Sequence, residues 1–193
     1  MVSNLLPHLI DVDIDTVQAD MEDTFEISSL EKTKDFNPSN IGDGQTYCTK
    51  HTEDAKRGVG TFGFFVLTDS ALQERTTIFF KVFKHKRKRD ILFCRDPFGS
   101  TERENIFKLT FAGIVNMDIE ATKTISLRSL IDCSMVESFG VGGKTCIMFR
   151  VYSSLPIGRD AHLFVFDNGA VDVKVLDFGL SKLAQQWMTL MPT

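Results

Sequence analysis

The sequence predicts a mainly β protein: a single antiparallel β domain, a sandwich or a barrel, with a C-terminal amphipathic helix. Three observations lead there. From Gly58 onward, short runs rich in Phe, Ile, Val and Thr recur every 8 to 15 residues or so, broken by Gly, Pro, Asp and Ser. Turn-forming stretches, Phe139–Lys144 and Asp167-Asn168-Gly169, separate some of these runs. Near the end, Leu176, Leu180, Leu183, Trp187 and Leu190 repeat at 4-3-4-3 spacing before Pro192, which makes one apolar helical stripe over 178–191.

A chain of 193 residues suits one domain with a full core. Its 42% hydrophobic and 25% charged residues are those of an ordinary globular protein. The net charge of −4 hides an asymmetry: residues 1 to 40 hold nine acids against two bases, leaving +3 for the rest. Residues 1–45 are therefore expected as an acidic, partly flexible N-terminal extension, and 46–193 as the sandwich domain with its helix.

Within the extension, short helices are predicted around Ile14 to Asp20 and Thr24 to Lys32. Asp35 to Gly44 collects Asn, Pro, Ser, Asp and Gly, and reads as a loop. Strands are predicted over Thr61–Thr68, Thr76–Phe83, Arg89–Cys94, Ile106–Val115, Lys123–Leu127, Ser134–Phe139 and Thr145–Tyr152. Phe139–Lys144 predicts a glycine-rich hairpin. Asp167–Gly169 predicts another, between Leu163–Phe166 and the alternating Val171, Val173 and Val175.

Four separated cysteines without a C-x-x-C, two of them (Cys94 and Cys146) inside predicted strands, predict free thiols in a reduced, intracellular compartment. Cys48 and His51 have half the spacing of a zinc site and lack its second half, so no metal and no cofactor are expected. Pro7 and His8 interrupt the apolar start, unlike a signal peptide. No run nears the roughly 18 apolar residues that span a bilayer.

Two nucleotide-site patterns fail on their context. Gly58-Val-Gly-Thr-Phe-Gly63, Lys81 and Asp177-Phe178-Gly179 follow the order of a kinase. Only 14 residues follow Gly179, however, and the intervening runs are strand-like. Gly140–Thr145 approaches a phosphate-cradling loop, but Ser138 stands where glycine is needed and a strand follows instead of a helix. The four histidines neighbour no nucleophile, and no enzymatic activity is expected.

The densest positive charge is His85 to Arg89, between the apolar runs Ile78–Phe83 and Ile91–Phe93. This predicts a β-hairpin with a cationic tip suited to a polyanion, or else a solvated, charged turn. Lys84, Lys86, Arg87, Lys88, Arg89 and Arg95 are the candidate nucleic-acid ligands, with Phe80, Phe83, Phe93 and Phe98 either core or base-stacking platforms. Nuclear import and anionic-lipid contact are further readings of the same tip.

The acidic leader, the Gly-Phe strand, the basic hairpin, Leu92-Phe-Cys-Arg-Asp96 and Thr145-Cys-Ile-Met-Phe-Arg-Val-Tyr152 follow one another in an order that resembles the thirty-K superfamily of plant-virus movement proteins. That resemblance, over residues 58 to 155, implies a jelly-roll-like β-sandwich and non-specific single-stranded RNA binding for cell-to-cell transport, with host proteins as partners. It also implies a place in the host cytoplasm, at the cell periphery or at plasmodesmata, and Asp96 as the family's signature aspartate. Peripheral membrane association and a homo-oligomer are expected with it. The strand-plus-helix pattern also resembles pleckstrin-homology-like lipid- or peptide-binding modules, and a viral matrix-type protein is the third reading.

Overall fold

The computed structural model describes residues 8–14, 16–35, 48, 59–85, 87–156, 160–171 and 173–182. The first sheet contains β1 (His8–Asp13), β3 (Lys34–Asp35), β4 (Thr61–Thr68), β5 (Thr76–His85), β6 (Lys88–Asp96), β7 (Phe111–Val115) and β11 (His162–Asp167). Its main path runs β1-β11-β4-β5-β6-β7, with β3 pairing parallel to β5. The second sheet contains β2 (Gln18–Ile27), β8 (Thr124–Asp132), β9 (Met135–Gly140), β10 (Thr145–Arg150), β12 (Val173–Val175) and β13 (Gly179–Lys182), ordered β10-β9-β8-β2-β12, with β13 also on β2. One helical turn, α1 (Ile119–Thr122), joins the sheets.

The expected antiparallel sandwich is therefore present. Its winding differs from a jelly roll, because β4 to β7 and β8 to β10 are runs of consecutive antiparallel neighbours.

The core lies between the sheets. Alternate residues of β2 (Ala19, Met21, Phe25, Ile27) point inward, as the period of two requires. Phe25 meets Phe62 and Phe64 of β4 at ring separations of 5.3 and 5.8 Å, and Phe80 stacks on Phe93 at 4.8 Å. A second apolar cluster, with Phe65, Phe79, Phe83, Leu92, Phe164 and Phe166, occupies the opposite face of the first sheet.

Several expectations change. The described residues of 8–35 supply β1, β2 and β3 to both sheets, and none of them forms a helix where two were predicted. Asp20, Glu22 and Glu26 are the solvent-side half of a strand, which reads as an acidic helix when taken without its partner strands. The Asp167–Gly169 turn does not join a hairpin: β11 pairs with β1 and β4, whereas β12 crosses to the other sheet and pairs with β2. The Asp167 carboxylate accepts from the Gly169 amide at 2.8 Å and the Val173 amide at 3.0 Å, which steers this crossing. The predicted C-terminal helix begins where β13 forms instead, and its remaining residues, 183 onward, lie outside the described set. Cys94 is not a free thiol; it forms a disulfide with Cys48 across 46 residues. That bond runs against a reduced compartment and takes Cys48 out of any metal half-site, while His51 lies outside the described residues.

Two glycines of the kinase-like pattern, Gly60 and Gly63, are packing residues. A Cβ on Gly63 would lie 2.1 Å from the Ile78 carbonyl oxygen, and one on Gly60 would lie 2.5 Å from the Gly169 nitrogen. Lys81 is buried above the Phe83 ring at 5.5 Å. The Gly140–Thr145 stretch closes the β9–β10 hairpin, with left-handed backbone at Val141, Gly142 and Gly143.

Candidate functional site

Two places gather charge: the β5–β6 hairpin tip and the opposite end of the same strands. At the tip, Lys84, Arg87 and Lys88 are exposed, and Lys86 lies outside the described residues. Arg89 is not free. Its guanidinium pairs with Glu120 and donates to the Leu30 carbonyl at 3.2 Å and the Thr33 hydroxyl at 3.2 Å. His85 meets Asp90 at 2.7 Å. A groove of about 430 Å³ runs beside them, from Arg87–Asp90 to Ile114–Glu120, and Asp90, Asp118 and Glu120 offset its basic wall.

Arg95 belongs to the core rather than to a ligand surface. It lies 4.4 Å from the Phe149 ring centroid and donates to the Leu109 carbonyl, so it joins the two sheets near β10. Burial pulls its pKa down to about 10, against the opposing charge of Asp96. Asp96 is also buried and accepts from the Phe98 amide at 2.9 Å, which shapes the turn after β6. The hairpin is therefore as expected, but its candidate ligands divide into three exposed cations, two structural arginines and one undescribed lysine.

Glu74, missed by sequence reasoning, organises the other end. It is fully buried at the close of the β4–β5 loop. Its carboxylate accepts from the Ser154 and Leu155 amides, from the Ser154 hydroxyl and from the Glu102 amide. Burial alone would raise its pKa; these donors more than offset that, and the result lies below the ordinary glutamate value. Its partners stand 28 and 80 or more residues away in the chain, so no local pattern marks it. A carboxylate with every lone pair engaged by the chain's own donors holds loops together and has no access to a substrate proton. The loop it anchors presents Phe98 and Phe107 at 63% and 82% exposure.

The fold and this distribution of charge define a β-sandwich module with a rigid, loop-locked end. The family model for glycosyl hydrolases family 32 C terminal matches residues 5–179. The chain belongs to that family. It is similar to the cell wall isozyme of β-fructofuranosidase from Zea mays, 51% identical over 169 residues, 84% of this chain and 28% of the relative. It is also similar to fructan 6-exohydrolase from Triticum aestivum, 46% identical over 168 residues, 86% of this chain and 28% of that protein. The crystal structure of fructan 1-exohydrolase IIa from Cichorium intybus superposes with a TM-score of 0.81 at 30% identity, over 94% of this chain and 36% of that one. The chain thus spans less than a third of the length of the curated relatives it matches.

These findings overturn the movement-protein resemblance and, with it, the single-stranded RNA partner, the viral setting and both alternative readings. They also overturn the expectation of a protein unconnected with catalysis, because the relatives are hydrolases by name. The resemblance rested on an order of apolar and basic runs, and such a pattern does not by itself fix kinship or function. Among the described residues, no helix is long and apolar enough to cross a membrane.

Proposed function

We propose that this chain is the C-terminal module of an enzyme that hydrolyses β-fructofuranosyl bonds in sucrose or fructan. The observation that carries this reading is 51% identity to a β-fructofuranosidase across 84% of the chain. The paired carboxylates of such a hydrolysis are assigned to the portion that the relatives possess and this chain does not span. The module's own part is to dock as a preformed unit, held in shape by Glu74, Arg95 and the Cys48–Cys94 bond. An oxidising, cell-wall location belongs to the same proposal, supported by the disulfide and by the maize relative's name.

The test is a chimera in which this chain replaces the matching segment of the maize enzyme. It is expected to release fructose from sucrose with kcat/KM within about tenfold of the parent, a difference of roughly 1.4 kcal/mol. A folded chimera without measurable hydrolysis would overturn the reading.

A further inference from the structure

Asp23 occupies a core-facing position of β2, in line with Ala19, Met21, Phe25 and Ile27, and its solvent exposure is 0%. Among the described residues no side chain bonds either carboxylate oxygen; only the Thr24 and Asp177 amides act on them, too weakly to offset burial. A carboxylate in such a place is among the more costly groups a core can hold.

Its surroundings on the neighbouring strands are specific. On β8 it faces Leu127, which offers no donor. On the other flank, β12 pairs with β2 through Val175 opposite Phe25, and β13 resumes with Gly179 opposite Glu22. Three residues, Leu176 to Phe178, therefore oppose two, Asp23 and Thr24. This is a bulge that bends the edge at Asp23, pinned by the Leu176 amide donating to the Thr24 carbonyl at 2.9 Å. The charged group that acts on Asp23 across this bulge is Asp177, of the same sign. Phe25, two residues along, meets Phe62 and Phe64 of the facing sheet, so the nearby interior is aromatic.

We propose that Asp23 is the release point of a proton-operated latch. With its carboxyl protonated, the bulged β12–β13 edge stays zipped to β2; when the carboxyl ionises, that edge lets go.

Burial raises the Asp23 pKa to about 6 from its ordinary 3.8, Asp177 adds to the rise, and the nearby Thr24 and Asp177 amides oppose it. The direction follows by linkage. A raised folded-state pKa means that the folded chain holds the proton more tightly than the unfolded one. The added stability is complete below pH 3.8 and is lost as pH rises through about 6. The edge is the part to yield: β12 and β13 are only three and four residues long, and among the described residues they pair with β2 alone. On its other side β2 is held by nine residue pairs with β8. Release would uncover the backbone of β2 from Ala19 to Ile27.

Hydrogen exchange of the 193-residue chain between pH 4.5 and 7.5, corrected for intrinsic rates, tests the latch. Amides of 173–182 are expected to lose protection roughly 30-fold over this range, the share of the change between 3.8 and about 6 that falls above pH 4.5. Amides of the β8–β9 ladder should hold theirs. Asp23→Asn should flatten the response. Asp177→Asn, which removes the like charge, should move the midpoint to lower pH. A pH-independent edge in the parent chain, or an unchanged response in Asp23→Asn, would overturn the proposal. Should Asp23→Asn not fold, the Asp177→Asn midpoint decides alone, and no shift there counts against the latch.

Discussion

Glu74 and Ser154, 80 residues apart, share two hydrogen bonds: the Ser154 amide donates to Glu74 at 2.5 Å and its hydroxyl at 2.7 Å. With the Leu155 amide at 2.7 Å and the Glu102 amide at 3.2 Å, they bind the β4–β5, β6–β7 and β10–β11 connections into one unit. Glu74→Gln keeps the volume but sets an NH₂ group among N–H donors. It is expected to cost about 2–4 kcal/mol in urea unfolding, the range for a buried, charge-assisted network. Because the folded-state pKa is lowered, the contribution is complete above the ordinary 4.5 and is lost as pH falls through the folded value. An acid titration of stability should show a limb below that pH in the parent chain, and Glu74→Gln should lack it.

The Cys48–Cys94 disulfide closes a span of 46 residues. Such a loop contributes about 3–4 kcal/mol by restricting the unfolded chain, so reduction should lower Tm by on the order of 10 °C. Thiol titration gives an independent reading: the native chain should react at the exposed Cys133 and Cys146, and the unfolded, reduced chain at all four cysteines. Four reactive thiols without reductant would show that the bond does not form.

The hairpin cations separate by what they touch. Lys84, Arg87 and Lys88 are exposed, and alanine at each should change stability by no more than about 0.5 kcal/mol. Arg89 bridges Leu30, Thr33 and Glu120, so Arg89→Ala should cost about 1–3 kcal/mol by leaving those acceptors unmet. Equal effects at all four positions would contradict the division.

Much of the sandwich was legible because its central strands are apolar on both faces. Thr61–Thr68 is buried throughout, and Thr76–His85 nearly so, which leaves β-branched and aromatic runs with no competing helical period. β2 was hidden for the opposite reason. Its solvent side is acidic, and Asp23 interrupts the apolar side, so neither period stands out. The Asp167-Asn168-Gly169 turn has hairpin chemistry, but the side-chain bond from Asp167 to the Val173 amide redirects it, and no local rule foresees that. The Glu74 hub depends on pairings 28 and 80 residues distant and leaves no trace at its own position. The basic tip drew the functional reading because charge density is visible in sequence, whereas the capture of Arg89 by Glu120 is a property of the fold.

Arg95 provides a test of how the core tolerates charge. It is buried, its Nε lacks a partner, and its lowered pKa means that the fold holds the cation at a cost at neutral pH. What the side chain returns is contact with the Phe149 ring and a bond to the Leu109 carbonyl. A long apolar side chain keeps most of the contact and removes the desolvation cost, so Arg95→Met should stay within about 1 kcal/mol of the parent. Alanine keeps neither: it opens a cavity beneath Phe149 and leaves the Leu109 carbonyl without its donor, so Arg95→Ala should cost about 3–4 kcal/mol. Denaturant unfolding of the two variants separates packing from charge. If methionine proves as damaging as alanine, the guanidinium's hydrogen bonding rather than its bulk is what joins the sheets at this corner.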